Sequence, residues 1–336
     1  MYMENDFNEL RWDRTKRGFY ENYFVKLVDV AQKIALWVRY TLVSPVKGGA
    51  NPEATVWAVF FDINNPARNI AVKKSYPIEA LRKGNGDVVF CLDRCLLSKT
   101  GLKGEINKSN DAISWDLTFD AHSIPLKRYP NWMYRSPFPR TKIVSPAWHA
   151  NVSGSFSAGN REYNVSNASA HYSHYWGTKY AEEWTWAHGN VFEGGETFAF
   201  EALAAKVPLA GLRLRPLKIF TFYIDGKWHF TPLLKGQFSI KSISDISSWH
   251  FEAPCKEYRF VGDITARLGE MVALCYNAPD GSHRYCHNSI VGDAIIQVYR
   301  RDFSGKWKMW RKYTAKNSVA FENASRSHDS RILRLV

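Results

Sequence analysis

The chain of 336 residues carries only five cysteines, Cys91, Cys95, Cys255, Cys275 and Cys286, at spacings too irregular for a disulfide framework. No apolar run reaches the roughly 18 residues that a bilayer span requires. The opening MYMENDFNEL has neither a basic n-region nor an apolar h-region, so a cytoplasmic setting with reduced thiols is expected. Like-charge runs are missing too. The net charge is +13, yet the basic residues come singly or in pairs such as Lys73-Lys74, Arg300-Arg301 and Arg311-Lys312. That scatter reads as solubility, and no nucleic-acid partner is expected. There is no phosphate loop, dinucleotide fingerprint or nucleophile elbow, which removes the common nucleotide-dependent and α/β-hydrolase classes. Metal ligation is not expected either. His171 and His174 are three apart and cannot share a strand face, and Cys91 and Cys95 lack a second pair.

What the chain does have is aromatic residues, 15% of the total, and period-two alternation. In DAISWDLTFDAH, Ile113, Trp115, Leu117 and Phe119 alternate with Ser114, Asp116, Thr118 and Asp120, the pattern of a strand with one dry and one wet face. KIALWVRYTLVSP, TVWAVFFDIN, KIFTFYID, EYRFVGDITARL and DAIIQVYRR are likewise β-branched, aromatic and bounded by turn residues. Helix signals are few: SYPIEALRKG has room for two turns, and FEALAAKVPLAG is ambiguous because Pro208 would stop a helix. Many antiparallel strands without helices between them imply closed or sandwiched sheets. The segment from Lys127 to Gly154 contains Pro130, Pro137, Pro139 and Pro146 and reads as an extended crossover, placing an N-terminal domain at 1–140 and a C-terminal one at 141–336.

Chemistry concentrates in HYSHYWGTKYAEEWTWAHGNVF, residues 171–192. On a strand, Trp184, Trp186, His188 and Asn190 project from one face, while Thr185, Ala187 and Gly189 form the other. Each large member of the row carries a polar group that needs a partner when buried. A cavity lining and an aromatic core satisfied by backbone carbonyls both fit. Tyr172, His174 and Trp176 share a face in the same way. FTFYIDGKWHF reads as a hairpin turning at Asp225-Gly226, with Thr221, Tyr223 and Asp225 opposite Phe220, Phe222 and Ile224, although Asp-Gly is also a standard turn pair.

Taken with YENYFVKLVDVAQKIALWVRYTLVSP and YRSPFPRTKIVSP, the stretch HYWGTKYAEEWTWAHGNVF resembles the tocopherol cyclase-like and carotenoid 1,2-hydratase-like group, which includes AttH-like proteins. The resemblance implies an all-β fold of two lipocalin-like antiparallel barrels packed against each other, with an apolar cavity near their junction. It also implies a His-x-Trp pair, matched by His174 and Trp176, and a Tyr-x-Asp pair, matched by Tyr223 and Asp225. Asp225 would then be the acid that protonates an alkene, held by His174 and Tyr223. A carboxyl with an ordinary value of ~3.9 could do so only if burial raised it. Tyr172, Trp176, Trp184, Trp186, His188 and Asn190 would line the substrate site. The expected function is cofactor-free hydration, cyclisation or isomerisation of an isoprenoid- or polyketide-like substrate; the rival is a non-catalytic carrier of a lipophilic ligand. Peripheral membrane contact for substrate access stays open. Burial of Asp225 separates the two main readings.

Overall fold

The computed structural model describes residues 7–84, 86–108, 111–120, 125–195, 197–207, 216–233 and 236–336. They fall into two compact units, Met1–Tyr180 with Asn277–His283 and Val336, and Ala181–Tyr276 with Arg284–Leu335. Each is built on one antiparallel sheet. No described helix is long and apolar enough to cross a membrane.

In the first unit the strand Phe19–Asp29 pairs with Ile34–Ser44 on one side and with Arg161–Gly177 on the other. The sheet curls until Ile70–Pro77 approaches Gly101–Lys108 and Asp111–Phe119. Its core is fed by alternate residues, Tyr23, Val25 and Leu27 from one strand and Ile113, Trp115 and Leu117 from another. The alternation expected over Asp111–Phe119 is therefore the real burial pattern.

The proline-rich segment does not separate two domains. Thr141–Ala158 pairs with Asp111–Phe119 and with Arg161–Gly177, so the chain returns to the sheet it left, and the division lies between Tyr180 and Ala181 rather than at 140/141. Pro146 is accommodated because the ladder is irregular between Val144 and Ala147, where no donor is required of it. A further bulge follows between Val152 and Gly154. There Gly154 has φ +136° and a Cβ would stand 2.2 Å from the Asp116 carbonyl oxygen, so only glycine fits. The helix allowed over SYPIEALRKG is instead the end of the strand Ile70–Pro77 and a single 3₁₀ turn, Ile78–Ala80. FEALAAK resolves to strand, Ala199–Lys206, while Pro208 lies outside the described residues.

In the second unit Glu183–Gly189 pairs with Ala199–Lys206 and Trp307–Ser325, and Ala199–Lys206 pairs in turn with Leu217–Ile224. Its core takes Ala187, Phe200, Ala202, Phe220, Phe222, Ile224 and Phe321. Phe222 stacks on Phe260 with centroids 3.7 Å apart. Small residues face this crowd for a reason: a Cβ on Gly189 would come within 2.7 Å of the Phe200 ring.

Candidate functional site

His174 points into the first unit's core side, and its partner is one the sequence reading missed. Its Nε2 lies 2.8 Å from Glu21 Oε1 and its Nδ1 2.7 Å from the Phe7 carbonyl oxygen. Glu21 also accepts the backbone N–H groups of Arg11 and Trp12 and the Tyr23 hydroxyl, at 2.8, 2.9 and 2.9 Å. The carboxylate and the imidazole are thus joined in one buried hydrogen-bonded network. The ring is stacked 4.0 Å from Tyr23 and 4.7 Å from Trp176, over which Arg11 sits at 5.1 Å. The Asn8 carbonyl accepts the Tyr23 hydroxyl as well, so residues 7–12 close the network. Tyr172, expected in a substrate wall, stacks on Phe119 within the core. This side of the strand is a buried network centred on Glu21 and His174.

The opposite side of the same strands holds cations. Lys26 is buried on Phe19–Asp29 in register with His171 and Trp37, and burial pushes its amine down to about 7. His171 Nδ1 meets the Trp148 carbonyl oxygen at 3.1 Å. Burial first, and the charge of Lys26 second, hold its imidazole well below the usual histidine value. Arg39, also buried, donates to Thr41 Oγ1 and Asn22 Oδ1 at 3.0 and 2.7 Å. A lone lysine in the apolar run YFVKLV was the available signal for this cluster.

In the second unit the expected row forms, with its orientation now defined. Ala187 faces the core, and Trp184, Trp186 and His188 face away from it beside Glu201 and Glu322. Trp186 Nε1 donates to Glu201 Oε1 at 2.7 Å, and Trp184 Nε1 to Glu322 Oε2 at 3.1 Å. His188, Glu201 and Thr221 stand in one rung across three strands, and all three are buried. Asn288 donates to Glu322 at 3.0 Å. Among the described residues the Thr221 hydroxyl and the Asn288 amide oxygen are buried without a hydrogen-bond partner, so this face has polar capacity to spare. Asn190 follows the strand end and is half-buried. Glu201, not anticipated, was visible as the one carboxylate inside the apolar strand FAFEALAA.

Asp225 does not meet the condition set for an acid. It lies in the turn between Leu217–Ile224 and Lys227–Phe230, its side chain is 48% exposed, and Oδ1 pairs with Arg311 at 2.7 Å. With φ of 50° at Asp225 and 75° at Gly226, the turn is the kind that demands Asp-Gly for its backbone. Tyr223, half-buried, meets Trp228 edge-on at 5.0 Å. The His174 and Asp225 side chains thus have separate partners, Glu21 and Arg311. Asp225 does border a pocket of about 520 Å³ with Trp228, His229, Phe230, Tyr258 and Arg300.

Curled antiparallel sheets with aromatic interiors and buried polar faces define a lipocalin-like paired-barrel class, and comparison with solved structures agrees. An AttH-type protein of Nitrosomonas europaea matches at a TM-score of 0.58 and 11% identity, with 94% of each chain covered. Kievitone hydratase of Nectria haematococca matches at 0.56 and 10% identity, covering 91% of this chain and 88% of that one. The third, CghA, matches at 0.50 and 10% identity over 93% of this chain and 90% of that one. Residues 100–320 match the tocopherol cyclase-like family, and the chain belongs to it. An uncharacterised protein of Mycobacterium tuberculosis is 25% identical over 296 residues, 88% of this chain and 85% of that protein. Membership of the tocopherol cyclase-like family supports a cyclase-like role.

Proposed function

We propose that the chain catalyses cofactor-independent hydration, cyclisation or isomerisation of a hydrophobic, isoprenoid- or polyketide-like alkene, with Glu201 in the acid role first given to Asp225. The observation that carries this reading is the buried rung of His188, Glu201 and Thr221, whose threonine hydroxyl has no hydrogen-bond partner among the described residues, on the face that also bears two indoles. Proton transfer from the carboxyl to the less substituted alkene carbon leaves a tertiary cation. The π faces of Trp184 and Trp186 favour such a cation by roughly 1–2 kcal/mol each when water is excluded. Oxygen from water or from a substrate hydroxyl then forms the new bond, and its proton returns to the carboxylate. The Thr221 hydroxyl, next to Glu201 in the rung, would hold that oxygen nucleophile. Where no nucleophile is held, loss of a neighbouring proton gives an isomer.

A carrier reading is favoured by the pocket beside Asp225, which has volume for a small ligand without an acid buried in it. Incubation with prenylated phenols and linear isoprenoids in deuterated buffer, read by mass spectrometry, separates the two. Catalysis gives either gain of one water or an isomer bearing one non-exchangeable deuterium. Recovery of bound but unchanged substrate across the panel removes the enzymatic reading. In the same assay Asp225→Asn is expected to keep the parent rate, and to change stability by less than about 1 kcal/mol, because the ion pair it breaks is solvent-exposed.

A further inference from the structure

Residues 300–313, RRDFSGKWKMWRKY, carry six basic side chains against the single acid Asp302, interleaved with Phe303, Trp307, Met309 and Trp310. They form the turn that joins the strands His283–Arg301 and Trp307–Ser325. The turn is rigidly made. Asp302 Oδ1 accepts the backbone N–H groups of Ser304 and Lys306 at 2.9 and 3.0 Å, and Lys308 pairs with Oδ2 at 3.2 Å. The one negative charge is thus spent on the loop itself. Phe303, at the turn, is fully exposed at 114%, and Met309 is 59% exposed. Behind them the indoles are held by guanidinium groups, with Arg301 4.7 Å over Trp307 and Arg300 and Arg311 at 4.7 and 4.1 Å over Trp310.

A fixed loop that gives a phenylalanine to solvent, ringed by lysine and arginine and backed by tryptophan, has the chemistry of a membrane-interface anchor. The apolar tip enters the acyl boundary, the indoles sit at headgroup level and the cations meet anionic lipid. We infer that this hairpin docks the protein on an anionic lipid bilayer. Arg300 at its base also borders the pocket with Phe230 and Tyr258, so docking sets that pocket beside the phase in which a lipophilic substrate is dissolved. A nucleic acid would also meet the cations, but an exposed Met309 and a fully solvated Phe303 at the turn suit insertion into lipid rather than base stacking.

The test is co-sedimentation of the whole chain with vesicles of phosphatidylcholine alone and of phosphatidylcholine mixed with phosphatidylglycerol. Binding is expected only to the mixed vesicles and is expected to weaken with salt. The double variants Phe303→Ser/Met309→Ser and Lys306→Gln/Lys312→Gln alter exposed side chains, so circular dichroism should show them folded. Each is expected to bind mixed vesicles about tenfold more weakly. Failure of the parent protein to sediment with mixed vesicles overturns the inference. So does equal binding of the serine variant, or displacement from vesicles by a mixed-sequence oligonucleotide that this variant binds as tightly as the parent. Vesicle binding is read without substrate, so either result leaves the reading of Glu201 to its own assay.

Discussion

Glu201→Gln is expected to lower the rate of product formation by about 10²–10⁴, the usual range for loss of a general acid, while the chain stays folded. Glutamine has nearly the same shape and keeps an oxygen for the Trp186 indole N–H, which now reaches Glu201 Oε1 at 2.7 Å. It differs in having no proton to give. The loss should therefore fall on kcat, with KM little changed, because the substrate still meets Trp184, Trp186 and His188. Thr221→Val tests the neighbouring role. Its hydroxyl has no hydrogen-bond partner to lose among the described residues, so the fold is expected to hold, but the partition between water-added and isomerised products should move toward the isomer. A Glu201→Gln enzyme running at the parent rate would end the assignment, whatever became of the family reading.

The sheet was legible because alternation is a local property. Ile113, Trp115 and Leu117 are each buried where the period-two pattern put them, and Asp225-Gly226 turns where a turn pair should. Alternation divides a strand into two faces without saying which one meets the core. For Glu183–Gly189 the answer lies in partners: Phe200 and Phe192 fill the space beside Gly189, so the small side of the strand goes inward and the indoles outward. The domain limit failed for a related reason. Proline reads as a break in a ladder, but a bulged strand absorbs Pro146 without leaving its sheet. The Glu21–His174 pair joins positions 153 residues apart and depends on the backbone of Phe7, Arg11 and Trp12, contacts that no spacing rule contains. Glu201 and Lys26 were each visible as one charge inside an apolar strand, a signal that marks burial without naming a role.

Lys26→Met is expected to diminish a rise in stability that the parent protein shows from neutral to alkaline pH. In the folded chain the amine keeps its proton only below about 7, whereas unfolding restores the ordinary lysine value of 10.5. Between those limits unfolding takes up a proton, so stability increases with pH by about 1.4 kcal/mol per unit from this group alone. Summed over the window, the contribution approaches roughly 5 kcal/mol; it is complete above the unfolded value and is lost as pH falls toward 7. Methionine fills similar volume with no charge to desolvate, which should flatten the curve and leave the variant more stable than the parent near pH 7. Two neighbouring effects lie at the edges of the window. His171, held down by burial and then by Lys26, loses stability for the fold only as pH drops through the ordinary histidine range. The buried hydroxyls of Tyr20, Tyr23 and Tyr40, pushed up chiefly by desolvation, act with the opposite sign and only above the ordinary tyrosine value. Within the window burial also pushes the Lys142 amine down to about 8, which adds a rise of the same sign, and pushes the Cys95 and Cys255 thiols up to about 11, which opposes it, so the Lys26 contribution is read as the difference between parent and variant urea midpoints. Parallel curves for parent and variant would mean that the amine is protonated in the folded chain.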